Sequence, residues 1–413
     1  MNLQDSDIAD GIVPEHIPEH IAAPRSTFLP WHKVRKQFIR RNQWNALTIR
    51  NVNDRWRRDL DKPSAVNGGN VSSMHVMRPL RCLVIPGDDL LDMRALWNEI
   101  SPLDCFIHYL GFNEGHGSSD VDTDVHVANN MVTSLPGVVP NSQVLRDRFE
   151  AIASADSQAY KYLREFGPYH IVNLDLCGSM FPNTEQDVEP YFKAVHRLLE
   201  YQFATQKTNW LLFITTMVKP SVVDHAWMQR LCKPTRDNCN AHSSFTEKLS
   251  ELLPSTSLQH EVHNVNLDGL SDAQLVRLFG VALGKWLLRL GQSPSPKWTV
   301  GMRRSFQYSI NEHEGATMLS LAFEMTPNFA PPVDTAGMSS LTVTPRTFST
   351  EVECAVKLVA SVTGITDVDE KLAADETLKK SLLHEAADLM ASAGYDREKY
   401  MQWVNDGEVV SQC

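Results

Sequence analysis

Residues 170–179 read His-Ile-Val-Asn-Leu-Asp-Leu-Cys-Gly-Ser, an apolar run that stops at Asp175. A short run with β-branched residues, followed at once by polar ones, predicts a strand buried on both faces in a parallel sheet. Three further runs share this pattern, and they are Cys82–Ile85, Cys105–Leu110 and Trp210–Ile214. The sequence therefore predicts four parallel strands, each ending at small, acidic or polar residues.

The residues that follow these four runs are the first candidates for a site, because open α/β sheets bind ligands at the carboxyl ends of their strands. They are Asp88, Asp89, Glu114, Asp175, Cys177 and Thr215. One hypothesis places Mg²⁺ between Asp88, Asp89 and Asp175, since this ion prefers carboxylate oxygens. Cys232, Cys239 and His242 lack the spacing of a structural zinc site, so no protein-bound zinc is predicted.

Helical periodicity between the runs predicts a helix after most of the strands. The clearest cases are residues 187–206 and 271–290, and the segments 125–133 and 143–166 are predicted as a weak strand and a long helix. Residues 305–310 and 317–324 then read as two strands joined by a short loop that contains glycine, the pattern of a hairpin. The predicted fold class is α/β, a doubly wound and mostly parallel sheet that ends in an antiparallel hairpin.

Composition and chain order predict three parts in this chain of 413 residues. They are an N-terminal arm with a basic helical segment (1–66), a Rossmann-like domain (67–330), and a linker with an acidic helical tail (331–413). No window approaches the roughly 18 consecutive apolar residues of a membrane span, and the N-terminus does not resemble a signal peptide. Seven cysteines do not make a disulfide framework in a chain of this length. These features predict a cytoplasmic protein.

The net charge of −11 conceals one strongly basic stretch. Residues 31–58, called here the basic segment, contain nine lysines and arginines and one acid, with four aromatic residues between them. Such a stretch in an acidic protein is typical of a surface for phosphate groups or an acidic partner. The alternative is a helix whose cations pair with the rest of the chain. The candidate nucleic-acid contacts are Lys33, Arg35, Lys36, Arg40 and Arg41.

A doubly wound parallel sheet ending in an antiparallel hairpin resembles the fold of the class I S-adenosylmethionine-dependent methyltransferases, here over roughly residues 70–326. Residues 81–92 occupy the place of that family's first strand and glycine-rich loop, with Gly87 as the glycine of the turn. In the family, an acid after the second strand accepts the ribose hydroxyls, and Glu114 is the nearest acid here. The resemblance implies S-adenosylmethionine as cofactor, bound by Pro86, Gly87, Asp88, Asp89, Glu114 and Asp175.

Residues 173–182 look like the acid-plus-turn motif of nucleic-acid methyltransferases, and resemble the Asp-Pro-x-Gly arrangement of tRNA guanine-N2 methyltransferases with Leu176 in place of the proline. The resemblance implies that Asp175 orients the amine to be methylated. Alternatively, Asp175 forms a turn or caps a helix. Cys177 is similarly placed to the nucleophile of RNA cytosine-C5 methyltransferases, and its alternative is a buried thiol that ends a strand.

Two functions are consistent with these motifs. The first is an S-adenosylmethionine-dependent methyltransferase acting on an RNA or DNA base, with Asp175 and Cys177 as catalytic residues. The second is a catalytically inactive binding or scaffold subunit that keeps the methyltransferase-like fold. In that case the acidic tail would bind a protein partner in a bacterial multi-protein complex, for which antiviral (phage) defence is the expected setting. The sequence predicts no membrane partner.

Overall fold

A computed structural model describes residues 24–56, 79–114, 119–176, 178–182, 188–253, 269–310, 317–329 and 348–405. At its centre is a nine-stranded sheet in the order β3-β2-β1-β4-β5-β8-β7-β9, with β6 paired to β8. The strands are β1 (Leu80–Val84), β2 (Ile107–Phe112), β3 (Gln143–Leu145), β4 (Ile171–Asp175), β5 (Trp210–Met217), β6 (Trp298–Met302), β7 (Phe306–Tyr308), β8 (Met318–Pro327) and β9 (Thr366–Asp367).

The four runs predicted as strands are β1, β2, β4 and β5, and they are parallel neighbours in the sheet. The predicted hairpin is confirmed as well, because β7 and β8 pair antiparallel and β8 also pairs antiparallel with β5. The chain is thus an α/β protein with a mostly parallel, doubly wound sheet. The strand order reverses between β1 and β4, which is where folds of this type form a crevice.

Helices cover both faces of the sheet. One face carries a hydrophobic core that includes Leu198 and Phe279, and the other a core that includes Leu96 and Leu382. The helices after the first strand are α3 (Leu91–Ile100), α4 (Ser119–Thr133), α5 (Gln158–Phe166), α6 (Val188–Thr205), α7 (His225–Leu231), α8 (Lys233–Ala241), α9 (Ser243–Leu252), α10 (Asp272–Gly291), α11 (Glu351–Val362), α12 (Val368–Ala374), α13 (Glu376–Ser392) and α14 (Arg397–Asn405).

Two local predictions are wrong. Residues 125–133 belong to helix α4, in which Val125, Ala128 and Val132 recur at helical spacing and are buried. Residues 143–166 form strand β3, a 3₁₀ turn (Phe149–Ala153) and helix α5, instead of one long helix. The physical reason is that β3 is a three-residue edge strand, too short to show the period of two that distinguishes strands from helices.

The basic segment is helical, as predicted, in the part that the structure describes. It contains α1 (Val34–Ile39) and α2 (Ala46–Asn51), each followed by a π-helical turn. Its apolar side chains share the core on one face of the sheet with Leu80 of β1 and Leu382 of α13. The tail also joins the sheet, because β9 pairs with β7. The predicted domain boundaries near residues 66 and 330 lie outside the described residues.

Among the described residues, none of the helices combines the length and the apolar composition that a bilayer span requires.

Candidate functional site: the crevice between β1 and β4

The crevice between the ends of β1 and β4 is occupied by the basic segment of the same chain. Asp175, the last residue of β4, accepts a hydrogen bond from the Nζ of Lys36 in α1. The side chains of Lys36 and Asp175 are only 8% and 15% exposed, so this ion pair is largely shielded from water. The Lys36 ammonium also lies 4.9 Å from the ring centre of Trp44. Asp175 therefore already holds a cation supplied by its own chain.

A second ion pair lies beside the first. Arg40 Nε, in the π turn after α1, donates to Asp92 Oδ1 at 2.7 Å, and the two side chains are only 5% and 10% exposed. Asp92 belongs to the first turn of α3, just after the β1 loop. Two acids at the ends of β1 and β4 thus face two cations of the basic segment, and the cluster carries no net charge when all four groups are ionised.

Burial and charge act on these groups in opposite directions. Burial lowers the pKa of Lys36, but Asp175, Tyr308 and Asp92 together outweigh burial, and the pKa of Lys36 ends above its ordinary value. Burial raises the pKa of Asp175, and the Lys36 ammonium opposes that rise. We assign the ionised form to both groups, because a hydrogen-bonded ammonium and carboxylate compensate each other's loss of hydration.

Asp89 connects the β1 loop to both ends of the described chain. Arg25 Nη1 lies 2.6 Å from its carboxylate, Tyr395 Oη donates to it at 2.8 Å, and His32 Nε2 lies 3.6 Å away. Burial raises the pKa of Asp89, but its contacts with His32, Arg25 and Tyr395 outweigh burial and the net pKa is lowered. Asp89 is therefore an anion held by structural partners from the N-terminal and C-terminal segments.

The remaining predicted cofactor residues lie at the β1 and β2 tips. Asn113 Nδ2 donates to the Pro86 carbonyl at 3.1 Å and to Asp88 Oδ1 at 3.0 Å, and so holds the β1 loop against the end of β2. Glu114 is 59% exposed and its Oε2 lies 3.2 Å from Arg148 Nε. Gly87 is exposed, and a Cβ at this position would meet no described atom within 4 Å.

Thr215 was predicted to follow its strand but lies inside β5, which continues to Met217, and it faces a buried hydrogen-bond network instead of the crevice acids. Its hydroxyl lies 2.9 Å from that of Ser320, which donates to Gln43 Oε1 at 2.7 Å. Gln43 Nε2 in turn donates to the Ser320 carbonyl at 2.9 Å. The basic segment is thus fixed to β8 as well as to β4.

The candidate nucleic-acid contacts are used inside the molecule. Lys33 Nζ donates to the Ile310 carbonyl at 3.1 Å, Arg35 pairs with Asp369 of α12, and Arg41 Nη1 lies 2.7 Å from Glu385 of α13. Lys36 and Arg40 pair with Asp175 and Asp92, as described above. All five cations predicted to contact nucleic acid therefore have partners within the chain. This arrangement is the intramolecular pairing that the sequence analysis gave as the alternative to phosphate binding.

Two contributors to the site, Gln43 and Tyr395, were missed from sequence, because no motif marks either of them. Trp44 is one of the four aromatic residues noted in the basic segment, but its contact with Lys36 was not predicted. A faint signal for Gln43 and Trp44 exists in their spacing of three and four residues from Arg40, which is the spacing of neighbours on one helix face. For Tyr395 the sequence offers no comparable signal, since its contact with Asp89 spans 306 residues.

The other predicted chemistry finds no assembled site in the described residues. Cys177 lies outside them. Within them, no group of three or more His, Cys, Asp or Glu side chains is placed to hold a metal ion, so Asp88, Asp89 and Asp175 do not form the hypothesised Mg²⁺ site. Burial raises the pKa of the Cys232 thiol to about 12, which disfavours the thiolate that zinc would need.

The residues of the crevice do not fit S-adenosylmethionine in this arrangement. The carboxylate that would orient a substrate amine is bonded to Lys36, and the acid of the β1 loop is bonded to Tyr395. Glu114, the acid implied for the ribose, is paired with Arg148 near the surface. What these residues do is bind one another, which stabilises the basic segment across the end of the sheet.

Comparisons with known proteins give one family. A family model described as PP_RS20740-like matches residues 25–405. No curated protein matches the chain.

Proposed function

The chain belongs to the PP_RS20740-like family, and we propose that it acts as a binding subunit built on a methyltransferase-like fold, without catalysing methyl transfer. This proposal depends on one observation. The Lys36 ammonium donates a hydrogen bond to the Asp175 carboxylate and lies over the ring of Trp44. A substrate amine would need the same carboxylate oxygens. Opening that position would separate a buried ion pair, which costs about 3–5 kcal/mol when one partner is left uncompensated.

The acidic tail supports a role in binding. Residues 349–406 hold about twice as many acidic as basic residues, and Glu376, Asp388 and Glu398 lie on their exposed faces. Asp388 and Glu398 lie beside Arg397 of the same tail, and the tail still keeps the negative net charge that would suit a basic protein partner. We place this interaction in the cytoplasm, within a multi-protein complex.

Isothermal titration with S-adenosylmethionine and with S-adenosylhomocysteine tests the proposal. We expect no saturable heat and no thermal stabilisation up to about 1 mM ligand, which corresponds to binding weaker than about −4 kcal/mol. Two carboxylate variants make the result specific. Glu114→Gln removes the acid implied for the ribose, and Glu398→Gln is a control at a side chain that is 79% exposed.

Saturable binding of one cofactor per chain, weakened by Glu114→Gln and unchanged by Glu398→Gln, would overturn the proposal. Binding affected equally by both variants would report a nonspecific charge effect, and the proposal of an inactive crevice would stand.

The second candidate is an S-adenosylmethionine-dependent methyltransferase acting on a nucleic acid, in which the basic segment leaves the crevice before the reaction. The observation in its favour is that Gly87, at the turn of the β1 loop, is exposed. Gly87, Asp88, Asp89 and Glu114 would then hold the cofactor. Transfer of a labelled methyl group to total RNA or DNA, lost in Asp175→Asn, is the expected outcome of that activity.

A further inference from the structure

A groove of about 610 Å³ lies on the face of the sheet opposite to the basic segment. Helices α6, α7 and α10 form its walls, and the 3₁₀ turn Phe149–Ala153 contributes Ala153. The volume falls within the range of about 300–1,000 Å³ that is usual for ligand sites. None of its lining residues takes part in the crevice between β1 and β4.

Three aromatic rings form the floor of the groove. The Phe192 ring centre lies 5.1 Å from that of Trp227 and 4.8 Å from that of Trp286, with interplanar angles of 44° and 38°. Trp286 is nearly buried, whereas Phe192 and Trp227 keep part of their surface exposed. Aromatic faces on a protein surface favour contact with other flat π systems.

Basic side chains surround this floor. Lys193 and Arg197 extend from α6, and Arg230 extends from α7 with its guanidinium carbon 4.7 Å from the ring centre of Trp227. Glu200 is the acid of the lining, and His196 Nδ1 lies 3.6 Å from it. The groove is therefore locally cationic in a chain whose net charge is −11. Its complement is an anion that carries a flat ring.

We propose that this groove binds a single-stranded nucleic acid, with a base on Phe192 and Trp227 and the flanking phosphates on Lys193, Arg197 and Arg230. Aromatic platforms beside cations are the usual means of holding single strands without reading their sequence. An acidic peptide fits less well, because its carboxylates could pair with the cations but would offer no flat ring to the exposed parts of Phe192 and Trp227. The inference goes beyond the proposed function, since the groove and the crevice share no residue.

Fluorescence polarisation of the full chain with a labelled oligothymidine or oligouridine, about 15 nucleotides long, tests this inference. We expect saturable binding whose affinity falls with salt, with a slope near −2 in log–log form for about three phosphate contacts. Lys193→Glu/Arg230→Glu should weaken binding at least tenfold. Trp227→Leu should weaken it at least fivefold, because it removes a stacking face.

The matched control is Lys379→Glu/Lys380→Glu on the exposed face of α13, which makes the same change in net charge away from the groove. We expect its affinity to stay within about twofold of the unmodified chain. An equal loss in the control and the groove variant would overturn the assignment of this site. Absence of oligonucleotide binding, or binding of a polyglutamate peptide in its place, would also overturn it.

Circular dichroism of each variant separates loss of binding from loss of fold. If Trp227→Leu does not fold, the dependence of the oligonucleotide affinity of Lys193→Glu/Arg230→Glu on salt concentration gives a second readout. The cofactor titration reports on the crevice alone. If the groove does not bind oligonucleotides, the proposal for the crevice can still be tested, and the reverse also holds.

Discussion

A buried lysine ammonium destabilises the folded state unless a neighbouring group compensates its charge. Lys36 meets this condition twice, through its hydrogen bond to Asp175 and through the face of Trp44. Lys285 gives a contrast within the same chain. It pairs with the partly exposed Glu351, but burial together with nearby Arg289 lowers its pKa to about 8. The environment, and not the residue type, decides how firmly each lysine keeps its proton.

A double-mutant cycle on Lys36 and Asp175 tests the strength of the crevice pair. Asp175→Leu should lower the free energy of unfolding by about 3–5 kcal/mol, because it leaves the Lys36 cation buried without its partner. The double variant Lys36→Met/Asp175→Leu should be more stable than Asp175→Leu, since no uncompensated charge remains. Urea unfolding of the unmodified chain, Lys36→Met, Asp175→Leu and the double variant gives the coupling energy.

The control for this cycle is the exposed pair between Arg289 and Asp237, whose side chains are 57% and 49% exposed. Arg289→Met should cost at most about 1 kcal/mol, because water already screens that pair. Equal losses at the exposed and the crevice pair would contradict the view that burial makes the Lys36 contact strong.

Among the elements, the junction between α5 and β4 depends on close approach to α6. Gly167 ends α5, and a Cβ built there would lie 2.6 Å from the Tyr201 ring and 2.9 Å from the Leu163 carbonyl. The neighbouring Arg81 Nη1 donates to the Gly167 carbonyl at 2.6 Å, which limits how far the backbone can move. A glycine is required at this position by space and not by a positive φ.

Gly167→Ala should therefore destabilise the protein by about 1–3 kcal/mol, the usual cost of overpacking a close contact. Thermal unfolding measures it. Gly301→Ala in β6 is the control, because the nearest atom to its Cβ would be 3.9 Å away and alanine is less flexible than glycine in the unfolded chain. We expect that variant to be neutral or slightly stabilised, and a similar loss at both glycines would refute the steric explanation.

Across the whole molecule, buried histidines link stability to pH. Burial lowers the pKa of His32, His108 and His170 from 6.5, and for His170 the value is about 4. His170 Nδ1 accepts a hydrogen bond from the Arg81 N–H at 3.0 Å, which requires the neutral ring. In the folded state these groups bind fewer protons than in the unfolded state. The stability that these histidines contribute is therefore complete above about pH 6.5 and is lost as the pH falls toward their folded-state pKa values, which for His170 is about 4.

Unfolding free energies at pH 7 and pH 5 test this linkage. His170 alone should account for a loss of about 1–2 kcal/mol between these two values. In His170→Asn, whose amide oxygen can accept from the same N–H, the pH-dependent loss should shrink by that amount. His384→Asn, at an exposed position on α13, should leave the pH dependence unchanged. Indistinguishable pH profiles for His170→Asn and the unmodified chain would contradict the assignment.

The sequence by itself determined the α/β class, the four central parallel strands and the antiparallel hairpin. These features follow from local patterns, because a strand buried on both faces must be apolar along its whole length and the periods of strands and helices differ. Local patterns were ambiguous where an element was short or partly polar, as in β3 and α4. Site candidates at the strand tips were found on the same basis, since topology alone brings those tips to one edge.

Only the tertiary structure decided what those tips contact. Lys36 and Asp175 are 139 residues apart, and no spacing rule relates them. The cations of the basic segment were visible from sequence, but their partners depend on how α1 and the tail fold across the sheet. A buried ion pair forms wherever packing brings opposite charges together out of water, and such packing is a property of the complete fold. For that reason Asp175 and Asp89, which were predicted to line an open binding site, instead bind Lys36 and Tyr395 of the same chain.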